Sequence, residues 1–199
     1  MGESTGRSPR AANYSSPFDL TGRAVLITGA SRGLGAAMAA ALSDAGADLI
    51  LWARDSRRLA RQAKLLTRAH PSCRILSEAV DVTHHAQVRR AVRNALRHCG
   101  RIDVLINNAG VWGGDEALRL DRGTWDRVLE TDLTSVFFVS QTVVSSMIKQ
   151  RYGKIITVAS TAGLMALPHG AAYGTVKAAL LHLTRILAVE WSGVGTVCE

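Results

Sequence analysis

The chain has 199 residues, enough for one domain with a sizeable core; it is 47% hydrophobic and carries 18 glycines against 4 prolines. Such a composition suits a compact α/β protein and excludes global disorder. The formal net charge of +8 rests on 24 basic residues, twenty of them arginine, but no aromatic residues interleave with the arginines and no recognition motif appears, which argues against nucleic-acid binding.

Residues 1–17 read as a disordered polar tail without the apolar segment of a signal peptide, and residues 18–199 as one domain. No apolar run approaches the roughly 20 residues that a membrane span needs, so no membrane association is expected and the chain is assigned to the cytoplasm. Cys73, Cys99 and Cys198 are widely spaced, with no neighbouring ligand pattern. Neither a disulfide framework nor a metal site is expected.

The first predicted element is the apolar run Arg23 to Ile27, a buried strand leading into Thr28-Gly29-Ala30-Ser31-Arg32-Gly33-Leu34-Gly35. An Ala-rich helix follows to Ala45, ended by Gly46. Ala47 to Ala53 is a second strand, and Arg54 to His70 a helix with much of the arginine on a solvated face. Cys73 to Val80 is a third strand, closing on Asp81-Val82, and a helix runs from about His84 to His98. Ile102 to Ile106 is a fourth strand that ends in Asn107-Asn108-Ala109-Gly110. A long helix from Thr124 to Gln150, a fifth strand from Gly153 to Ala159 and a last helix from Tyr173 to Trp191 complete the series. Strand and helix alternate throughout, which predicts a doubly wound parallel sheet covered on both faces.

Two stretches carry chemistry. In the first, Gly29, Gly33 and Gly35 stand between strand and helix in GxxxGxG spacing. Glycines there let the backbone approach a pyrophosphate, and the helix N-terminus supplies N–H donors and a positive dipole. The spacing is not the GxGxxG of the dinucleotide fingerprint. In the second, Tyr173 and Lys177 lie four residues apart, on one face of a helix. A lysine cation beside a phenol favours the phenolate, which makes a phenol a useful proton donor at neutral pH.

Four elements occur in order: the glycine turn Thr28 to Gly35, Asn107-Asn108-Ala109-Gly110, Ser160, and Tyr173 with Lys177. With them the chain resembles the short-chain dehydrogenase/reductase family along residues 18 to 192. The resemblance implies a single Rossmann-like domain and an oxidoreductase acting on a secondary alcohol or ketone. It implies that Tyr173 is the general acid or base, that Ser160 hydrogen-bonds the reacting oxygen, and that Lys177 binds the nicotinamide ribose. Gly29, Ser31, Arg32, Gly33, Leu34, Gly35, Arg54, Asp81, Val82, Asn108, Ala109 and Gly110 are then expected to bind the cofactor, together with Tyr173 and Lys177. Ala53 stands where NAD-dependent members carry an acidic residue, and Arg54 and Arg32 flank the 2′ position, so NADP(H) is favoured over NAD(H). Asp55 is the residue that would reverse this if the strand ended two residues later.

Two departures from the family pattern bear on activity. Asp132 replaces the usual Asn of the catalytic set, and its carboxylate either leaves the backbone relay intact or turns toward Lys177. Relatives also continue past Glu199 with two further strands and a loop over the substrate. The C-terminal strands are therefore expected to be missing and the fifth strand to be an open edge. Two readings stay open: an NADP(H)-dependent oxidoreductase of sugar-acid or 3-oxoacyl type substrates, and an impaired remnant that keeps partial dinucleotide binding or serves as a partner subunit. The resemblance makes a homodimer through the long helix and the Tyr/Lys helix an expectation, with Val136, Phe137, Val139, Val143 and Met147 as either its apolar face or part of the chain's own core.

Overall fold

The structure is a computed structural model that describes residues 18–193 and 196–198; the expected tail 1–17 lies outside the described residues. Six parallel strands form one sheet: β1 (Ala24–Thr28), β2 (Asp48–Ala53), β3 (Ile75–Ala79), β4 (Val104–Asn107), β5 (Gly153–Thr157) and β6 (Thr196–Cys198). Their order is β3-β2-β1-β4-β5-β6. The chain winds one way through β1, β2 and β3, then crosses over to β4 and winds the other way. Such a reversal opens a crevice at the C-terminal ends of β1 and β4, where a ligand can lie between loops of the two halves.

Among the described residues six α-helices accompany the sheet: α1 (Gly33–Asp44), α2 (Ser56–Ala69), α3 (His85–Cys99), α4 (Arg122–Leu129), α5 (Ser135–Gln150) and α6 (Ala171–Ser192). The strands β1 and β2, buried along their whole length, are apolar on both faces. Val25, Ile27, Leu49 and Leu51 pack with Ala39 of α1 and with Leu59 and Leu66 of α2. Their neighbours Leu26, Ile50 and Trp52 point the other way, into a cluster with Val88, Val92, Val139, Val143 and Met147 of α3 and α5. A third cluster joins Val128, Val136, Ala172, Val176 and Leu180. It ties α4, α5 and α6 together beneath the residues expected to be catalytic.

Three expectations need correction. The long helix is not continuous: between α4 and α5 the residues Glu130–Thr134 form a π-helical turn. Leu129, Leu133 and Phe137 keep a four-residue spacing across this stretch, so the sequence pattern hides the widened turn, a feature often found at functional sites. The strand β5 is not an open edge, because β6 pairs with it in parallel at Gly153↔Thr196, Lys154↔Val197 and Ile155↔Cys198. Finally, Val136, Val139, Val143 and Met147 are all buried within the chain's own core, and Phe137 packs against it. They do not form a free face for a second subunit.

Candidate functional site

The turn after β1 is shaped by close packing. Gly29 has φ +69°, and a Cβ there would stand 2.9 Å from both Ala109 Cα and Asn108 Nδ2. A Cβ on Gly35 would stand 2.6 Å from the same Asn108 nitrogen. Only glycine lets the first turn of α1 and the end of β4 come this near. The two loops are then latched by Thr28, whose Oγ1 accepts from the amides of Asn108 and Ala109 at 3.0 Å each. Asn108 returns its own amide nitrogen to Thr28 O at 2.9 Å. The turn after β4 is thus a structural partner of the glycine turn as well as a wall of the crevice.

That crevice is a cleft of about 530 Å³. Every residue expected to bind cofactor on the glycine turn and at the strand ends lines it: Gly29, Ser31, Arg32, Gly33, Leu34, Gly35, Arg54, Asp81, Val82, Asn108, Ala109 and Gly110. Arg58 and Thr131 also line it and escaped the sequence reading. Helical spacing in α2 offers the one signal for Arg58, since it lies one turn beyond Arg54. Asp55 reaches the cleft too, but its carboxylate is engaged. Oδ1 caps α2 by accepting from the Arg58 amide at 3.0 Å, and Oδ2 pairs with the Arg58 side chain at 3.1 Å. The Arg58 amide, with lesser help from nearby arginines, holds this carboxyl below its ordinary value. Burial pushes Asp81 the opposite way, but hydrogen bonds from the Thr83 hydroxyl and amide outweigh it, so Asp81 also sits below its usual value.

The N-terminus of α1 opens on the cleft with no side-chain cap and no acidic residue in its first turn. Uncapped helix N–H groups and the helix dipole favour an anion there. Arg32, Arg54 and Arg58 surround the same space. The donors are those a dinucleotide's pyrophosphate needs, so the residues present fit such a group.

Ser160, Tyr173 and Lys177 lie outside that lining, on a short turn and a helix that pack together. Ser160 ends the loop from β5 and caps a short 3-10 turn, Thr161–Gly163, its Oγ accepting from the Ala162 amide at 3.1 Å. This turn seats tightly on α6. A Cβ on Gly174 would stand 3.1 Å from Ala162 O, and one on Gly163 would stand 2.7 Å from Lys177 O. Glycine at both positions brings the serine turn onto the turn of helix that carries Tyr173 and Lys177. The Tyr173 hydroxyl has no hydrogen-bond partner among the described residues, and its ring packs on Trp112, with centroids 4.9 Å apart. Trp112 was not foreseen as a site residue.

Lys177 is only 6% exposed. Its Nζ donates to Val158 O at 3.2 Å, lies 5.2 Å from the centre of the Tyr173 ring and stands 3.3 Å from Asp132 Oδ2. Asp132 has therefore turned toward the lysine. It is fully buried on the π turn, and its other oxygen accepts from the Val111 amide at 2.7 Å. Oδ2 has an ion-pair distance to Nζ but no well-directed hydrogen bond. Burial pushes the Asp132 carboxyl above its ordinary value, against the pull of the Val111 amide and of Lys177. A buried pair of this kind gains little net stability, but leaving either charge alone is costly. Gly110 sits against this carboxylate, since a Cβ would stand 2.7 Å from Oδ2. Gly110, Asp132 and Lys177 thus connect the cleft to Tyr173.

Comparison with known proteins shows the family. The profile of the short chain dehydrogenase family matches residues 23–197, and the chain belongs to that family of oxidoreductases. It is 34% identical over 177 residues to the 2-dehydro-3-deoxy-D-gluconate 5-dehydrogenase of Dickeya dadantii (strain 3937), covering 88% of this chain and 68% of that protein. It is 33% identical over 181 residues to the NAD-dependent glycerol dehydrogenase of Listeria innocua serovar 6a, covering 90% and 68%. Among solved structures it is similar to levodione reductase, with a TM-score of 0.87 at 32% identity, covering 90% of this chain and 70% of that one. None of the helices among the described residues is long and apolar enough to cross a membrane.

Proposed function

We propose that this chain interconverts a secondary alcohol and a ketone and prefers NADP(H) to NAD(H). One observation carries the reading: an arginine-lined cleft at an uncapped helix N-terminus adjoins a buried lysine beneath an unpartnered phenol. A bound nicotinamide would supply or accept the hydride. Tyr173 gives its hydroxyl proton to the ketone oxygen in reduction and takes it back in oxidation. The Ser160 oxygen already accepts from Ala162, so its proton is free to hydrogen-bond the same substrate oxygen and steady its developing charge. Lys177 places a positive charge beneath the phenol and stabilises negative charge there as the proton leaves; its ammonium protons also suit the cofactor's ribose hydroxyls.

The cofactor preference rests on Arg32 and Arg54 at the mouth of the cleft and on Ala53 at the end of β2. The carboxylate that follows Arg54, Asp55, is committed to Arg58. The Listeria relative is named for NAD, so family membership leaves this choice to the chain's own residues. In Arg54→Asp the ratio of kcat/KM for NADPH over NADH is expected to fall by about tenfold or more, since lost charge-assisted hydrogen bonds are worth about 1.5–3 kcal/mol. An unchanged ratio would overturn the preference. The reaction itself is tested by NADPH consumption with a panel of ketones. Tight NADPH binding with no turnover of any ketone would leave a dinucleotide-binding protein or a partner subunit instead. A homodimer is also proposed, using exposed α5 and α6 residues such as Phe138, Ile186 and Val189 in place of the buried set. Sedimentation would detect it.

A further inference from the structure

The loop that follows Gly110 does more than close the cofactor cleft. Its first residue, Val111, is anchored by its amide to Asp132 Oδ1 at 2.7 Å. Two residues on, Gly113 is buried against Val128 and Thr124. Between these anchors stands Trp112. One part of its indole rests on the Tyr173 ring at 4.9 Å with a 56° tilt. Another part rests on Gly114, where a Cβ would stand 2.5 Å from Cε2 and 2.6 Å from Nε1. The indole is held on two sides, yet 56% of the residue is exposed. A large aromatic side chain fixed in place and facing open space next to the candidate proton donor is a ready-made wall.

The second observation concerns the segment that joins Ser160 to Tyr173. Leu164, Met165 and Leu167 are exposed at 77%, 60% and 44%. The only titratable side chain from Thr161 through Ala172 is His169. The backbone of this segment winds back on itself, with Leu164 and Met165 both donating to Thr161 O. The span that joins the two candidate catalytic groups along the chain therefore exposes apolar side chains. Exposed apolar residues grouped at one place mark a binding surface.

From these facts we propose that Trp112 determines substrate choice, forming with the Leu164–Leu167 segment an apolar wall that selects ketones carrying an apolar ring beside the carbonyl over polyhydroxylated keto acids. The proposal rests on the oxidoreductase reading above. Hydroxyl groups pressed against such a wall lose water and find at most the indole N–H in return, a cost that an apolar ring does not incur. A ring gains instead from burial and from offset or edge contacts with the indole. The Dickeya relative is named for a sugar acid, so the inference separates this chain from a protein it otherwise resembles.

The test uses the full chain with NADPH, an aryl ketone such as 4-phenyl-2-butanone, and a polyhydroxy keto acid of similar size. The wild-type protein is expected to favour the aryl ketone in kcat/KM. Trp112→Ala should lower kcat/KM for that ketone by about tenfold, mostly through KM, as befits loss of one aromatic contact and its buried area. Turnover of the keto acid should change by no more than about twofold, and Trp112→Phe should recover most of the loss. A wild-type preference for the keto acid, or an equal loss for both substrates in Trp112→Ala, overturns the proposal. If neither substrate turns over, the catalytic reading fails, but selection is still read by titrating both compounds into the NADPH-saturated protein. Aryl-ketone binding that weakens in Trp112→Ala and survives in Tyr173→Phe supports the wall; binding of the keto acid alone contradicts it.

Discussion

The two sides of the molecule at the crossover solve different problems. On the cleft side, glycines at 29 and 35, the Thr28 latch and the uncapped start of α1 bring backbone together and leave N–H groups free for an anion. On the α6 side, the working groups are side chains, and two of them are buried charges: Asp132 and Lys177, 3.3 Å apart on the π turn and α6. A site built from backbone tolerates sequence change as long as space is kept. A site built from a buried ion pair depends on each partner. Substitutions on the two sides should therefore fail in different ways: steric on the first, electrostatic and chemical on the second.

Tyr173→Phe breaks the comparison most sharply on the α6 side. Loss of the proton donor should lower kcat by roughly 10²–10⁴-fold, the range of general acid–base catalysis, while NADPH affinity measured by fluorescence stays within about threefold, because the cleft lining does not include Tyr173. Gly35→Ala is the matching break on the cleft side. The new Cβ meets Gly29 backbone and Asn108, so overpacking should cost about 1–3 kcal/mol, seen as a lower melting temperature together with loss of NADPH binding. If Gly35→Ala left both untouched, the packing argument for the turn would be wrong.

Asp132→Asn gives a smaller and pH-dependent effect. Burial raises the folded-state Asp132 pKa above its ordinary value of 3.8. A raised folded pKa means that the protonated form is favoured by folding, so this contribution is present at low pH and is lost as pH rises through the folded value. Asparagine carries no such dependence. The melting temperature of Asp132→Asn relative to wild type should therefore rise as the pH goes from about 4 toward neutrality. A difference that is flat in pH, or that falls, would mean that Lys177 keeps the carboxylate ionised without cost.

Much of this was legible in the sequence, and the reasons for what was not are local. The glycine turn, Asn107 to Gly110, Ser160, Tyr173 and Lys177 are readable because each depends on residue type at a fixed place beside a strand or helix end. The π turn at Glu130–Thr134 is hidden, since Leu129, Leu133 and Phe137 keep a four-residue helical spacing across it. The sequence admits two orientations of Asp132, because only the packing of Gly110 and Lys177 decides between them. Trp112 was missed because ring packing on Tyr173 joins residues 61 positions apart, and no periodicity signals it. The pairing of β6 is not readable because the sequence reaches only the place where a sixth strand would begin, and three residues suffice to pair with β5.

The central claim is that hydride moves at the Tyr173–Lys177 site. The most direct measurement incubates the purified chain with a ketone and NADPH deuterated at the transferable position of its nicotinamide, and locates the label in the product by mass spectrometry. Deuterium is predicted on the new carbinol carbon with wild type, and label transfer at least about a hundredfold slower with Tyr173→Phe, although that variant still binds NADPH. Label transfer at an undiminished rate in Tyr173→Phe, or an alcohol product without deuterium, would contradict it.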